Sequence, residues 1–419
     1  MKIKITSLNS KGDGVAEGTQ ETYVVPFSLP GEEIEFASAE PLKPGVCGVD
    51  RYERLTDSPH RRVPPCPYFG ACGGCQLQHM TDDFYANYKG GLLAEDLAVH
   101  DIVASEGTCP QMFGPGNRRR INFKVMRVGQ GVALGYHQRR SHKVLDINAC
   151  PLLTQKLQDL IAPFKALFKK ILQGGDKLNL FLTEALNGFD VLMDFETAKS
   201  FSFEEMGALI AMAQNYKLIR VTLKTPRGEE LLYEAEKPRV AFQGIYVAIP
   251  PNPFLQPSEI SQDKMIQTVM DLMPKNAKKV ADLFSGLGTF SVPLSARMAV
   301  DAYEQNPQAV KFLKETKKLL PGKIEAFERD LFKNPLTVQE LENYDCVVLD
   351  PPRAGAVAQI KNLAASKVSH VIMISCNTHT FARDAHLLIK GGYKMESLKV
   401  FDQFLWSVHL EMIALFKKV

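Results

Sequence analysis

Residues 279–290, KVADLFSGLGTF, run from an apolar stretch straight into two glycines, Gly286 and Gly288. We read KVADLFSG as a buried strand ending in a glycine turn, and FSVPLSARM as the helix that follows. Glycine lets a backbone turn sharply and approach a ligand closely. The same strand–turn–helix step then recurs. AVDAYEQN, IEAFERD, DCVVLDPP and HVIMISC read as further strands with helical stretches between them, and MESLKVFDQF and SVHLEMIALFKK close as an antiparallel pair. Such alternation builds a doubly wound, mostly parallel α/β sheet of the Rossmann-like kind, with ligands outside the carboxyl ends of its strands.

Those strand ends carry acids. Asp282 lies in the first strand, Glu304 ends the second, Asp330 the third and Asp350 the fourth. A carboxylate at Glu304 suits the two hydroxyls of a ribose, and Asp330 falls where an adenine would sit. The turn lacks a full G-x-G-x-x-G and a Walker lysine, which speaks against pyrophosphate. A pocket of carboxylates favours a cationic nucleotide-type cofactor, S-adenosylmethionine.

The next strand ends in Ser375-Cys376-Asn377, which sets Cys376 beside Asp350 at the same edge. Glu411 is a lone carboxylate within HLEMIALF, and burial there raises its pKa toward that of a useful base. A thiolate, a base and a methyl donor are the three groups that methylation of uracil at C5 needs. Uracil C5 is a poor nucleophile until a thiolate adds at C6, and a base must afterwards remove the C5 proton.

Upstream, residues 1–57 read as short alternating strands split by Gly and Pro, which suggests a five-stranded barrel of the oligonucleotide-binding kind. Residues 58–250 hold a cysteine-rich segment, a helix over 82–100 and an α+β domain. The segment from about 86 to 116 is expected to pack on the last domain. A Pro-rich joint, IPPNPFLQPSE, precedes the catalytic stretch 251–419. Hydrophobic content of 45%, charged content of 23% and a net charge of +3 are ordinary for a globular protein. No apolar run approaches the roughly 18 residues of a membrane span, and the N-terminus has no apolar signal core, so a cytoplasmic location without membrane attachment is expected. Between Gly116 and Lys143 there are eight Lys and Arg and no Asp or Glu, with Phe123 and Tyr136 among them. This basic, aromatic-bearing stretch suits RNA, with Arg118, Arg119, Arg120, Arg139 and Arg140 as phosphate contacts.

Eight cysteines are present. CPYFGACGGC places Cys66, Cys72 and Cys75 in a C-x5-C-x2-C pattern, and DINACPLL supplies Cys150. Four thiolates hold either zinc or a [4Fe–4S] cluster, and the spacing leaves both open. Cys47, Cys109 and Cys346 read as packing.

Together these motifs resemble the RNA uracil-5-methyltransferases that carry an iron–sulfur cluster, close to those that make 5-methyluridine in 23S ribosomal RNA. The resemblance covers nearly the whole chain. GDGVAEG with VPFSLPGE looks like a TRAM RNA-binding module, and DLFSGLGTFSVPL, DPPRAG, SCNTHTFARD and DQFLWSVHLE follow the family order. It implies Cys376 as nucleophile and Glu411 as base. It implies Gln256, Phe284, Thr289, Glu304, Asp330 and Asp350 around the cofactor, and a [4Fe–4S] cluster on Cys66, Cys72, Cys75 and Cys150. The family usually has Asn at Thr289, Pro at Thr378, Pro at Leu405 and Thr at Ser407. An RNA partner and a monomer are expected, with 23S rRNA favoured over tRNA. A rival of another class is a metal-stabilised RNA-binding factor with an inactive transferase fold; the pairing of Cys376 with Glu411 argues against it.

Overall fold

The computed structural model describes residues 1–104, 107–318, 320 and 323–419. The stretch KVADL forms β1 (Lys279–Leu283), followed by β2 (Ala299–Glu304), β3 (Ile324–Glu328), β4 (Cys346–Leu349) and β5 (His370–Ser375). Two antiparallel strands, β6 (Tyr393–Asp402) and β7 (Glu411–Lys418), complete them. The order across the sheet is β3-β2-β1-β4-β5-β7-β6, and a short strand at Gln111–Met112 is added beside β6. The first five strands pair in parallel, with the sheet order reversing at β1, the doubly wound arrangement.

Successive side chains of a strand face opposite sides of its sheet. Ala281, Leu283, Val347, Leu349, Val371 and Met373 accordingly enter one apolar core. Val280, Cys346, Val348, Ile372 and Ile374 enter another on the opposite face. Both faces being covered explains why these strands are near-continuous apolar runs. Helix Thr378–Lys390 lends Phe381, Ala385 and Leu388 to the first core. Helix Glu259–Leu272 lends Met265, Ile266 and Val269 to the second.

Segments from before the Pro-rich joint share these cores. Leu93 and Leu97 of helix Asp82–Ala98, together with Ile102, lie in the first. Val240, Phe242 and Val247 of the hairpin Arg239–Phe242/Ile245–Ala248 lie in the second. Residues 105 and 106, inside the segment expected to pack here, lie outside the described residues.

A seven-stranded sheet spans Arg120 to Glu234. It is antiparallel except where Gly188–Phe195 runs parallel to Leu218–Thr225, and helix Phe203–Asn215 makes that crossover. Ser202 and Glu205 form a capping box that starts the helix. The N-terminal segment is expected from sequence to form a five-stranded barrel. Its strand pairings make a five-stranded and a three-stranded sheet, and Ile5, Val25, Ile34 and Val49 from the segment form one shared core.

Candidate active site

Three chemical groups meet at the carboxyl edge of the sheet because the strand order brings them there. Cys376 directly follows β5, Asp350 directly follows the neighbouring β4, and Glu411 opens β7. The register Ser375↔Met412 places Cys376 and Glu411 one step further along the same antiparallel ladder. Glu411 is 3% exposed, which takes its carboxylate out of water. Burial first, and the Asp350 carboxylate second, raise its pKa well above the usual carboxylate range; Gln403 and Arg353 oppose the rise. Asp350 is itself raised by burial and by Asp282. Burial, Glu411 and Asp350 push the Cys376 thiol up to about 11, while the positive charge of Arg353 opposes the rise and favours the thiolate.

Helix Thr378–Lys390 clamps the DPPRAG turn against this edge. Asn377 Nδ2 and Thr380 Oγ1 donate to the Arg353 carbonyl at 3.3 and 3.2 Å, and Arg383 donates to the Ala354 carbonyl at 3.0 Å. Asp384 accepts from the Ala356 N–H at 3.1 Å. Gly355 has φ +73°, and a Cβ there would lie 2.5 Å from Asp384 Oδ2. Asn377 caps the helix, accepting from the N–H groups of His379 and Thr380. Thr378 is therefore the first helical residue, the position that tolerates proline because its N–H has no intrahelical partner. The Thr378 departure leaves this cap intact.

Gln403, absent from the sequence-based site, joins two predicted residues. Its Nε2 donates to Glu411 Oε2 at 2.5 Å and to Gln256 Oε1 at 2.8 Å, and its Oε1 accepts from Ser261 Oγ at 2.9 Å. The preceding Asp402 is buried and accepts from Lys89 Nζ at 2.7 Å and Tyr85 Oη at 2.6 Å. Arg353, Gln403 and Lys89 were the functional neighbours that sequence reasoning passed over. Arg353 and Gln403 stand within quoted motifs, so their proximity to Cys376 and Glu411 was the available signal; Lys89 carried none.

At the β1 turn, Phe284, Gly286 and Gly288 all have left-handed φ. The Gly286 N–H donates to Glu304 Oε2 at 2.9 Å, which ties the β1 turn to the end of β2. Thr289 closes this turn, half-buried, just before the short helix Ser291–Ser295. The Phe284 ring lies 5.3 Å from that of the exposed Phe332. Asp330 accepts from the N–H groups of Phe332 and Lys333, so it shapes its own loop. Asp282 accepts from Ser291 Oγ, but its Oδ1 and the Ser285 Oγ are buried without hydrogen-bond partners among the described residues. Burial raises Asp282 to about 7.

Cys66, Cys72, Cys75 and Cys150 line one cavity between the N-terminal part of the chain and the central sheet, walled by Tyr68, Tyr136 and Leu152. The Gly74 N–H points at Cys72 Sγ at 3.4 Å. Among the described residues, no group of three or more His, Cys, Asp or Glu is arranged to hold a single metal ion. Cys47 and Cys346 are buried, whereas Cys109 is exposed and does not pack in a core.

The five arginines do not form one open basic face. Arg119 is 4% exposed and donates to the Gln256 carbonyl and to Gln262 Oε1, which corrects its assignment as a phosphate contact. Arg120 is half-buried, donating to Leu255 O and Asn252 Oδ1 with its guanidinium over the Phe254 ring. Arg118 is half-buried, and its Nε donates to the Arg120 carbonyl. Arg139 and Arg140 engage Asp13 and Asp50, bridging the central sheet to the N-terminal strands.

Comparison with known proteins follows the same outline. A family model described as tRNA (Uracil-5-)-methyltransferase matches residues 325–419, and one described as Methyltransferase small domain matches residues 258–370. The chain is 34% identical to an uncharacterized RNA methyltransferase of Rhizobium meliloti, covering 99% of each chain. It is 30% identical to the 23S rRNA (uracil(1939)-C(5))-methyltransferase of Shewanella amazonensis, covering 100% of this chain and 95% of the relative. Among solved structures it is similar in fold to the Pyrococcus abyssi tRNA (uracil-54, C5)-methyltransferase in complex with S-adenosyl-L-homocysteine. That match has a TM-score of 0.77 at 23% identity and covers 99% of this chain and 100% of the other.

Proposed function

The chain belongs to the RNA uracil-5-methyltransferase family, and from that premise we propose that it methylates C5 of a specific uridine in RNA, 23S rRNA being favoured. The observation that carries the reading is the convergence of Cys376, Asp350 and Glu411 at one sheet edge. S-adenosylmethionine supplies the electrophilic methyl group. The Cys376 thiolate adds to uracil C6, and the C5=C6 electron pair moves to C5 and its carbonyl. C5 takes the methyl group, releasing S-adenosylhomocysteine. Glu411 removes the C5 proton, the C5=C6 bond reforms, and the C6–sulfur bond breaks to return the thiolate.

The high thiol pKa has a consequence for this sequence of events. A thiolate beside two carboxylates is disfavoured in the free protein, so Arg353 is assigned the role of stabilising it. The uridine must leave its stack to reach Cys376. Gln256, Phe284, Thr289, Glu304, Asp330 and Asp350 are assigned to the cofactor side. Residues 1–57 are assigned as a TRAM-like RNA-binding module and 58–250 as the central domain. The hairpin Arg239–Ala248, the core residues Leu93, Leu97 and Ile102, and the strand Gln111–Met112 are counted with the catalytic unit 251–419 because they share its cores and sheet.

The four cavity cysteines are assigned to a [4Fe–4S] cluster. The family resemblance is what favours the cluster over zinc, and four thiols around one cavity with a backbone N–H aimed at sulfur are compatible with it. Methyl transfer moves no net electrons, so its role is structural. The protein is expected to act as a monomer in the cytoplasm. Mass mapping of 5-methyluridine in rRNA and tRNA, from cells with and without the gene, tests the reading. Loss at one rRNA uridine supports it, loss in tRNA moves the substrate, and no loss in either overturns it.

A further inference from the structure

We propose that Gln403 is a positioning residue that sets the hydrogen-bonding polarity of Gln256 and Glu411 together, leaving Glu411 Oε1 as the atom that takes the C5 proton. The inference rests on Glu411 acting as the base of the proposed reaction.

A carboxamide offers two N–H donors at one end and an acceptor at the other. Gln403 is 7% exposed, and its amide meets buried partners at both ends. Both donors are committed, to Glu411 Oε2 and Gln256 Oε1, and the acceptor end meets Ser261 Oγ. With Glu411 ionised, as the base must be, turning the amide over would set its oxygen against a carboxylate oxygen and the Gln256 carbonyl oxygen with no proton between them. Unpaired buried acceptors are costly, so the partners fix the orientation. The backbone just before it is held as well, because Lys89 and Tyr85 both grip Asp402.

Two effects follow. An amide N–H cannot accept, so the contact favours the ionised carboxylate and occupies Oε2. It works against the surroundings of Glu411: Asp350 from β4 and the Cys376 thiolate from β5 disfavour the ion, and Arg353 from the DPPRAG turn favours it. At the other end, the Gln256 oxygen is taken, so its Nε2 is the end that meets a ligand. Gln256 thus presents a donor and suits an acceptor group. One amide therefore aligns the cofactor-side residue and the base.

The test isolates the proton-removal step. Full-length wild type, Gln403→Met and Ser261→Ala are mixed with S-adenosylmethionine and total RNA from cells lacking the gene. The covalent protein–RNA adduct that survives denaturant is followed against pH. In Gln403→Met the adduct should accumulate and decay about tenfold more slowly near neutral pH, the scale of one lost hydrogen bond to a charged group. The midpoint of its decay should move to higher pH, and Ser261→Ala should move it the same way by less. Should Gln403→Met fail to melt cooperatively, Ser261→Ala decides. Variants that decay like wild type, or that lose adduct formation and decay alike at every pH, overturn the inference alone. A wild type that forms neither adduct nor 5-methyluridine overturns the underlying reading, and this inference with it.

Discussion

The carbonyl of Trp406 accepts the backbone N–H groups of both Gln76 and Leu77, at 2.9 and 3.1 Å. The cysteine loop that ends at Cys75 is thereby fastened to the loop between β6 and β7. Trp406 itself has φ +61°, a left-handed conformation unusual for a large residue, and its N–H is held as well, donating to Tyr85 Oη at 2.8 Å. Removing the proposed cluster from the cysteine cavity should therefore loosen the loop between β6 and β7 as well. After chelator treatment, or in Cys75→Ser, amide hydrogen exchange should quicken at 76–77 and across 403–410, while the core of β1 and β4 stays protected. Unchanged exchange at 403–410 would separate the two loops.

Cys376→Ala should abolish methyl transfer and leave RNA affinity in a gel-shift assay within about twofold, because in the proposed reaction the thiol is a reacting group and not a phosphate contact. Glu411→Gln should form the methylated adduct but not resolve it, since Gln cannot take the C5 proton. An adduct that survives denaturant in Glu411→Gln and is missing from Cys376→Ala is the expected pair of results.

Burial and two carboxylates hold the Cys376 thiol at about 11, with Arg353 pulling the other way. Alkylation of Cys376 by iodoacetamide should accordingly climb with pH through neutrality, about tenfold per unit while the thiol form dominates. Arg353→Ala removes the group that favours the thiolate, so the thiol pKa rises and alkylation at a fixed neutral pH slows. Mass spectrometry of the Cys376 peptide reads both trends, and faster alkylation in Arg353→Ala would contradict the assigned role.

The catalytic sheet was legible because its signals are local and repeated. Apolar strands, glycine turns and terminal acids each sit within a few residues of KVADLFSGLGTF or its counterparts. Cys376 stood out locally as a polar exception at a strand end, and Glu411 as a lone carboxylate within an apolar strand. What stayed hidden depends on contacts between distant segments. Arg119 reads as a surface cation in NRRR, yet Gln262 and the Gln256 carbonyl, some 140 residues away, supply acceptors that let it be buried. Lys89 looks like an exposed helix position until Asp402 is folded against it. The N-terminal strands are only two to four residues long, too short for alternation to fix how they close into sheets.

The Lys89–Asp402 pair has no solvent exposure at either side chain. Removing one partner of such a pair strands a buried charge, at a cost of about 3–5 kcal/mol. Lys89→Met should lower the unfolding free energy by that order in a denaturant titration. Adding Asp402→Asn to it should restore part of the loss, because the stranded charge is then gone. Activity in the double variant should stay low, since Asp402 no longer anchors Gln403.

Stability should also depend on pH in a direction opposite to that of ordinary paired carboxylates. Burial raises Asp282 to about 7, and it raises Asp350 and Glu411 in the same sense. For an acid with a raised folded-state pKa, the native state holds more protons than the unfolded chain between the two pKa values. Unfolding free energy then falls as pH increases through that window, from about 4 to about 7 for Asp282. Asp282→Asn keeps the hydrogen bond from Ser291 within reach and removes the titration, so its stability should decline less over the same window. Chemical denaturation at pH 5 and pH 7.5 measures the two slopes, and an Asp282→Asn slope as steep as that of wild type would show that Asp282 is ionised without penalty in the fold.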